Sequence, residues 1–270
     1  MTIEQISTGQ ARKPRIIAIA NQKGGVGKTT TAINLATAMA AVKKKVLIID
    51  MDPQGNASTG LGIERRERVR NSYHVVIGQA EISEVTLDTS IPGLKIVPSG
   101  VDLSGAEIEL VDVERREFQL RQAVSAISTD YDYILIDCPP ALGLLTINAL
   151  VAAHAVLVPL QCEFFALEGI SHLIKTVERV EQAFNPGLEI QGIVLTMFDK
   201  RNNLSGMVAN DVRDHFGDKV YKTVIPRNVR VSEAPSHGRP VLVYDMNCAG
   251  SQAYLHLAGE VLRRERQAIT

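Results

Sequence analysis

The chain has 270 residues, of which 45% are apolar and 22% charged, and its formal net charge is −1. Those proportions describe an ordinary soluble globule with enough chain for a large core, in one α/β domain or two. A near-neutral chain is not a nucleic-acid binder by bulk charge, so any such affinity needs a local patch, or two subunits presenting their patches together.

Residues 1–14 are polar and mixed, without the apolar centre of a signal peptide, and read as a flexible leader. Composition marks no boundary afterwards, so residues 15–270 read as one domain. Within residues 15–20 the run Ile16-Ile17-Ala18-Ile19 predicts a short strand buried on both faces. Next comes Lys23-Gly24-Gly25-Val26-Gly27-Lys28-Thr29-Thr30. An ordinary phosphate loop is Gly, four residues, then Gly-Lys-Ser/Thr. Here Gln22 holds the first glycine's slot, and Lys23 adds a second cation at the entrance.

Gly24, Gly25 and Gly27 lack a Cβ, which admits positive φ and close approach of backbone to a polyphosphate. Successive N–H groups then form an anion nest, extended by the free donors at the start of the next helix. Lys28 is placed to reach the β- and γ-phosphates, and the Thr29 hydroxyl to ligand Mg²⁺. Two other readings exist. One is a glycine turn with a solvated lysine. The other is a dinucleotide site, whose Gly-x-Gly-x-x-Gly pattern begins at Gly25 but meets Thr30 at the third glycine.

Residues 29–42, rich in Ala, Leu, Ile and Met and free of Gly and Pro, predict a helix. Residues 46–49 predict a second buried strand, ending at Asp50 and Asp52. Strand, loop, helix and strand within about 35 residues fit a right-handed βαβ unit. Residues just past strand C-termini face the ligand in open α/β sheets. Asp50 and Asp52 share one side of the chain there, and could orient an attacking water or support the metal shell. Asp52, further into the loop, is the candidate for positioning water at the γ-phosphate; its plain alternative is capping the Pro53-Gln54-Gly55 turn.

Residues 60–92 resist assignment and read as an insertion over one sheet edge. Arginines in Arg65-Arg66-Glu67-Arg68-Val69-Arg70 alternate with Glu and read as solvated surface. Further strands are predicted at 94–97, 133–136, 155–160, 190–195 and 219–225, and helices at 104–127, 144–152, 167–184, 204–216 and 251–266. This alternation predicts an α/β fold: a doubly wound, mainly parallel sheet with helices on both faces. The strand at 133–136 ends in Asp137, the carboxylate expected to hold Mg²⁺ through water, or otherwise a turn cap. Cys138-Pro139-Pro140 then stops the strand. After the last strand, Pro226 and Asn228 could clamp a base, since an Asn amide offers both a donor and an acceptor; a turn with a surface Asn fits equally well.

No apolar stretch approaches the roughly 18 residues of a membrane span. The three cysteines, Cys138, Cys162 and Cys248, are far apart with no Cys-x-x-Cys pair, and the six histidines show no ligand spacing. Neither a zinc site nor a disulfide framework is expected, and a reduced, cytoplasmic protein is.

Together, Asn21 to Thr30, Asp50-Met51-Asp52-Pro53-Gln54-Gly55-Asn56, Ile136-Asp137-Cys138-Pro139-Pro140, Gln161-Cys162-Glu163 and the segment from Ile225 to Pro235 resemble the ParA family, specifically its short Soj-like partition ATPases. The resemblance runs from about residue 15 to 265. It implies a slow, partner-stimulated ATPase with ATP and Mg²⁺ as cofactors. Lys23 would reach across an ATP-dependent homodimer to the partner's nucleotide, beside Lys28. Residues Lys23 to Thr30, with Pro226 and Asn228 on adenine, would bind ATP. Thr29 and Asp137, with Asp50, would serve the metal, and Asp52 would support hydrolysis. Gly24 would sit at the crowded interface, where a bulky residue blocks dimerisation.

The resemblance further implies non-specific binding of double-stranded DNA through residues matching Arg201 and Arg230, mainly to phosphates and strongly salt-dependent. A ParB-type centromere-binding partner would trigger hydrolysis and release from the nucleoid, moving a chromosome or plasmid. Three relatives compete. A MinD-like membrane ATPase needs an amphipathic C-terminal helix; Ala253, Tyr254, Leu257, Ala258, Val261 and Leu262 make an apolar stripe, but with few bulky residues, so membrane targeting is not expected. A nitrogenase-reductase relative needs cluster-bridging cysteines, whereas Cys138 and Cys162 adjoin strand ends. Larger plasmid partition ATPases carry an N-terminal helix-turn-helix region, for which about 15 residues are too few.

Overall fold

Runs of Val, Ile and Leu without alternation form strands when both faces are covered, and the central strands here obey that rule. In the computed structural model, which describes residues 14–127 and 129–268, every residue of the strands Val46–Asp50 and Tyr133–Asp137 is buried. The eight strands are β1 (Arg15–Ile19), β2 (Val46–Asp50), β3 (Leu87–Asp88), β4 (Leu94–Val97), β5 (Tyr133–Asp137), β6 (Ala155–Gln161), β7 (Glu189–Phe198) and β8 (Val220–Pro226). They form one sheet in the order β3-β4-β2-β5-β1-β6-β7-β8. Every pairing is parallel except that of β3 with β4. Helices cover both faces over two apolar layers, so the predicted doubly wound architecture is present. The expected leader, apart from Pro14, lies outside the described residues.

Most predicted elements appear within one to three residues of their expected ends. The helix after the glycine loop is Lys28–Ala41 and the last one is Ala249–Ala268. The predicted helix at 104–127 is a correction. It breaks into Leu103–Glu109, a 3-10 turn at Arg116–Phe118, and Gln119–Ser125. Arg115 takes a left-handed conformation (φ 56°), which an α-helix cannot pass through. The Asn148 side chain stitches the break, donating to the Arg116 carbonyl (2.9 Å) and accepting from the Leu120 amide (3.2 Å). Residues 60–92 fold as short helices, at Ser72–Val76 and Ile82–Val85, leading into β3, whose antiparallel pairing closes the β4 edge.

At the opposite edge the Glu260 carboxylate accepts from the Lys222 and Thr223 amides of β8 (2.9 and 3.0 Å), covering donors that an edge strand otherwise exposes. The stripe weighed for membrane binding faces inward. Ala253, Tyr254, Leu257, Ala258 and Val261 are buried in the core. Among the described residues no helix is long and apolar enough to cross a membrane.

Candidate functional site

The loop from β1 to the helix Lys28–Ala41 turns on two left-handed glycines, Gly25 (φ 75°) and Gly27 (φ 89°). A side chain in that conformation costs roughly 1–2 kcal/mol. Gly24 differs from the expectation: its φ is not positive, and an added Cβ would meet nothing within 4 Å. Nothing among the described residues therefore requires a glycine there.

Two anchors hold the loop. Asn21 Nδ2 donates to the Pro159 carbonyl on β6 (2.7 Å) while its Oδ1 accepts from the Lys23 amide (3.0 Å). Thr196 Oγ1 on β7 donates to the Val26 carbonyl (2.8 Å). Sequence reasoning assigned neither a role. A polar residue at the end of an apolar strand was the only available signal.

The two lysines diverge. Lys28 is 7% exposed, and its Nζ donates to the Lys23 carbonyl (3.0 Å), inside the curve of the loop. Burial pushes its pKa below the usual lysine range, against the pull of Asp137 and Asp52. The Lys23 side chain is 48% exposed and turns outward, where its Nζ pairs with the Glu163 carboxylate just past β6.

Below the loop two carboxylates face each other. Asp50 and Asp137 end adjacent parallel strands in register, and Ile19 of β1 is in register with Asp137 on its other side. Both are fully buried. Asp50 is satisfied: Oδ2 accepts from the Ser58 amide (2.9 Å) and hydroxyl (2.7 Å), and Oδ1 from the Asp52 amide (3.2 Å). Burial nonetheless raises its pKa to about 6. Asp137 is not satisfied, since neither carboxylate oxygen has a hydrogen-bond partner. Burial, then the Asp50 charge, pushes its pKa well above the carboxylate range, while the Thr29 hydroxyl and Lys28 favour the ionised form. Thr29 thus lies close to the carboxylate without making a hydrogen bond of ordinary geometry.

An orphaned buried carboxylate beside a hydroxyl and a second carboxylate fits a cation, because Lys28 alone does not offset its burial. Among the described residues no group of three or more His, Cys, Asp or Glu could hold a metal alone. An ion here would take Thr29 and Asp137 and fill its shell with water and phosphate oxygens. That is the habit of Mg²⁺, which is rarely caged by protein alone.

Asp52 is also mostly buried, and its Oδ1 accepts from the Gln54 amide (3.0 Å). It caps the turn as the plain reading expects, and Oδ2 remains for a water. Arg68 corrects the reading of its cluster as solvated surface. It is buried, with Nη1 donating to the Gly55 (3.2 Å) and Ser99 (3.4 Å) carbonyls and Nη2 to the Ile63 carbonyl (2.6 Å) and Thr59 hydroxyl (2.8 Å). It ties the loop after Asp52 to the loop after β4.

Pro226 ends β8, in register with Phe198, and Asn228 caps the helix Val229–Glu233, its Oδ1 accepting from the Arg230 amide (2.9 Å). Arg201 and Arg230 are exposed but neutralised within the chain. Arg201 is bidentate on Asp199 (3.0 and 2.9 Å), and Arg230 pairs with Glu233 (3.0 Å) and Asp245 (3.5 Å). Arg201 lines a groove of about 1450 Å³ between β8 and the final helix, together with Lys200, Lys222, Arg227 and Arg263; Arg230 lies outside it. Cys138 and Cys162 are buried, and burial raises both thiols, Cys162 to about 11. Neither is poised to bridge a cluster between subunits.

This geometry has close counterparts. A family model described as AAA domain matches residues 14–190. The chain is 63% identical over 254 residues to the chromosome partitioning protein ParA of Caulobacter vibrioides, covering 93% of this chain and 95% of that one. It is 52% identical over 247 residues to the sporulation initiation inhibitor protein Soj of Bacillus subtilis, covering 92% and 98%. Among solved structures, cobyrinic acid a,c-diamide synthase from Mycobacterium smegmatis with a bound ATP analogue and magnesium superimposes with a TM-score of 0.83 at 35% identity, over 94% of this chain and 97% of that one. A phosphate loop with an added lysine, a doubly wound parallel sheet and full-length identity at this level agree: the chain belongs to the ParA/Soj family of chromosome-partitioning ATPases.

Proposed function

We propose that the chain is an ATP-driven partition switch, acting as one ATPase unit over residues 15–270. With ATP and Mg²⁺ bound, two copies sandwich their nucleotides, and the dimer holds double-stranded DNA through phosphate contacts. A ParB-type partner accelerates hydrolysis and releases it from the nucleoid. The observation that carries this reading is the divergence of the lysines. Lys28 occupies its own loop, whereas the Lys23 side chain projects from the surface and, among the described residues, pairs with Glu163 alone. A cation presented outward from a phosphate loop suits the phosphates of a facing copy, and that contact exists only when a triphosphate is there.

In this reading Gly24, Gly25, Val26, Gly27, Lys28, Thr29 and Thr30 wrap the phosphates, with Pro226 and Asn228 on the adenine. Thr29 and Asp137 would hold Mg²⁺, whose positive charge would offset that of the nucleotide phosphates. Asp50 serves the metal from behind, since its oxygens already accept from Ser58 and Asp52 and its charge raises the demand of Asp137 for a cation. Asp52, fixed by the turn it caps, orients the attacking water through Oδ2. Arg201 and Arg230 exchange their carboxylates for DNA phosphates. The buried apolar face of the final helix speaks against the MinD-like alternative.

The test is light scattering on Lys23→Gln with a non-hydrolysable ATP analogue. The wild type is expected to double its mass, and the variant to stay monomeric while binding the nucleotide with unchanged affinity. A variant that still doubles its mass refutes the reading.

A further inference from the structure

One peptide of the phosphate loop is free to turn by its own chemistry. A peptide plane swings through the ψ before it and the φ after it, and glycine accepts either sign of φ. The residue after Val26 is Gly27, which stands at φ 89°. The plane between them is fixed from outside the loop. Thr196 Oγ1 on β7 donates to the Val26 carbonyl (2.8 Å), and Thr196 is buried, which shields the bond from water. Carbonyl and N–H point in opposite directions across a trans peptide. With the Val26 carbonyl turned towards β7, the Gly27 N–H points away from it, and that N–H has no partner among the described residues.

The end of β7 is shaped around this contact. From Gly192 to Thr196 it runs in step with β6, residues 157–161. Against β8 it then takes three steps, from Leu195 to Phe198, where β8 takes two, from Val224 to Pro226. The extra residue is a bulge, and Met197 within it is left-handed (φ 49°), a costly conformation for a residue with a Cβ. By strand alternation Thr196 shares a face with Val194, and Met197 belongs on the other. The bulge turns Met197 back. Its Cε lies 4.0 Å, and Thr196 Cγ2 3.9 Å, from where a Cβ on Gly27 would stand. The two side chains wall the loop at Gly27, and the Thr196 hydroxyl bonds the peptide just before it.

We propose that Thr196 is a positioning residue for the nucleotide: its hydroxyl sets the Val26–Gly27 peptide so that the Gly27 N–H donates to a phosphate of bound ATP or ADP. Threonine suits both tasks, since its methyl packs on Gly27 while its hydroxyl donates. Valine would fill the same space without the bond. The peptide could then turn over and set the Val26 carbonyl oxygen against the phosphate, replacing a donor by an acceptor where the ligand is an anion. The inference rests on the reading that this loop wraps the phosphates, and it needs neither the dimer nor DNA.

The test exploits the sequence, in which Val is followed by Gly only at Val26-Gly27. Labelling valine at its carbonyl carbon and glycine at its nitrogen therefore gives one carbonyl-filtered amide signal in the NMR spectrum, that of Gly27. In the wild type it should shift when ADP with Mg²⁺ saturates the chain, and stay in place with adenosine, which has no phosphate. A signal unmoved by bound ADP overturns the proposal without any variant. Calorimetry supplies the second arm. Thr196→Val should weaken ADP binding about tenfold or more, the effect of one hydrogen bond to a charged group, and leave adenosine affinity unchanged. Thr196→Ser, which keeps the hydroxyl, should restore ADP binding. Equal losses for ADP and adenosine would mean a general loosening of the fold and overturn the proposal. Wild-type ADP affinity in Thr196→Val overturns it as well. If Lys28→Gln loses ADP in that case, the loop reading survives; if Lys28→Gln also binds like the wild type, that reading falls too.

Discussion

Replacing Asp137 by Asn removes a buried charge that Asp50 repels and that Lys28 offsets only in part, and the size of the effect should depend on pH. Asp137 makes no hydrogen bond, so the exchange breaks none, and the amide has nearly the carboxylate's shape. Its neighbour Asp50 ends the adjacent strand in register. Strands lie about 4.8 Å apart, so the carboxylates stand roughly 5 Å from each other. At an effective dielectric of about 20 two full charges there repel by about 3 kcal/mol. The buried Asn amide remains without partners and gives back about 1 kcal/mol of that gain. The lost attraction of Lys28, weaker than the Asp50 repulsion, gives back about 1 kcal/mol more, so the net is a stabilisation of about 1 kcal/mol with both groups ionised, or about 2–4 °C in Tm for a domain of this size.

The folded-state pKa values of Asp50 and Asp137 are both raised, Asp50 to about 6. Protonation is therefore tighter in the folded chain, and wild-type stability falls as pH rises through the folded values. The Asn variant lacks part of that loss. The gap between the proteins should widen as pH rises above the ordinary carboxylate range, and be larger at pH 8 than at pH 5. Scanning calorimetry at the two pH values checks this, without nucleotide and with ADP and Mg²⁺. Ligand should reverse the order, raising the wild type and leaving the variant nearly unmoved. A variant less stable than the wild type at pH 8, or equally stabilised at both pH values, would refute the argument that an uncompensated carboxylate pair underlies the site.

The remaining predictions concern other parts of the molecule. Asp52→Ala should lower phosphate release by about 10²–10⁴-fold and leave an ATP-bound dimer retained on DNA; a wild-type rate would remove Asp52 from the mechanism. A Cβ added at Gly24 meets no atom within 4 Å, so Gly24→Val should leave urea unfolding nearly unchanged while light scattering shows no ATP-dependent dimer. Arg68→Ala strips a buried donor from the Gly55, Ser99 and Ile63 carbonyls and should cost about 2–4 kcal/mol in urea unfolding, where a surface arginine would cost almost nothing. Arg230→Ala should lose DNA co-sedimentation and flatten its salt dependence while dimerisation persists; loss of both would place Arg230 in the dimer contact instead.

What could be read from residues alone follows the physics of each element. β2 and β5 were legible because strands covered on both faces are short, continuous apolar runs with a carboxylate at the end. The helix at 104–127 was not, because helical spacing continues through Val111 and Val113, while the left-handed turn at Arg115 and the Asn148 stitch are tertiary. In the site, Lys28, Thr29 and Asp137 follow from a motif whose geometry is local. Asn21, Thr196 and Arg68 do not, since each bonds a backbone group brought near only by the folded sheet or its loops. Sequence treats Asp50 and Asp137 alike as metal residues. Their difference lies in Ser58, eight positions further on, which satisfies one carboxylate and leaves the other orphaned.

That asymmetry orders the events. Lys23 on Glu163, Arg201 on Asp199 and Arg230 on Glu233 are partly or largely exposed pairs, and such pairs are worth about 0–1 kcal/mol each. Exchanging their carboxylates for phosphates of a facing nucleotide or of DNA is nearly free, so none of them can drive the switch from the free chain. Asp137 is different: its charge is buried, unpartnered and opposed by Asp50. Lys28 offsets it only in part, so full relief comes from a proton or from a cation brought to it, and the Thr29 hydroxyl is already beside the place where one would sit. Mg²⁺ with its nucleotide should therefore bind the monomer first and tightly. In the proposed switch, dimerisation and DNA binding should follow as weak, salt-sensitive exchanges, reversible as soon as the γ-phosphate proposed as the target of Lys23 is gone.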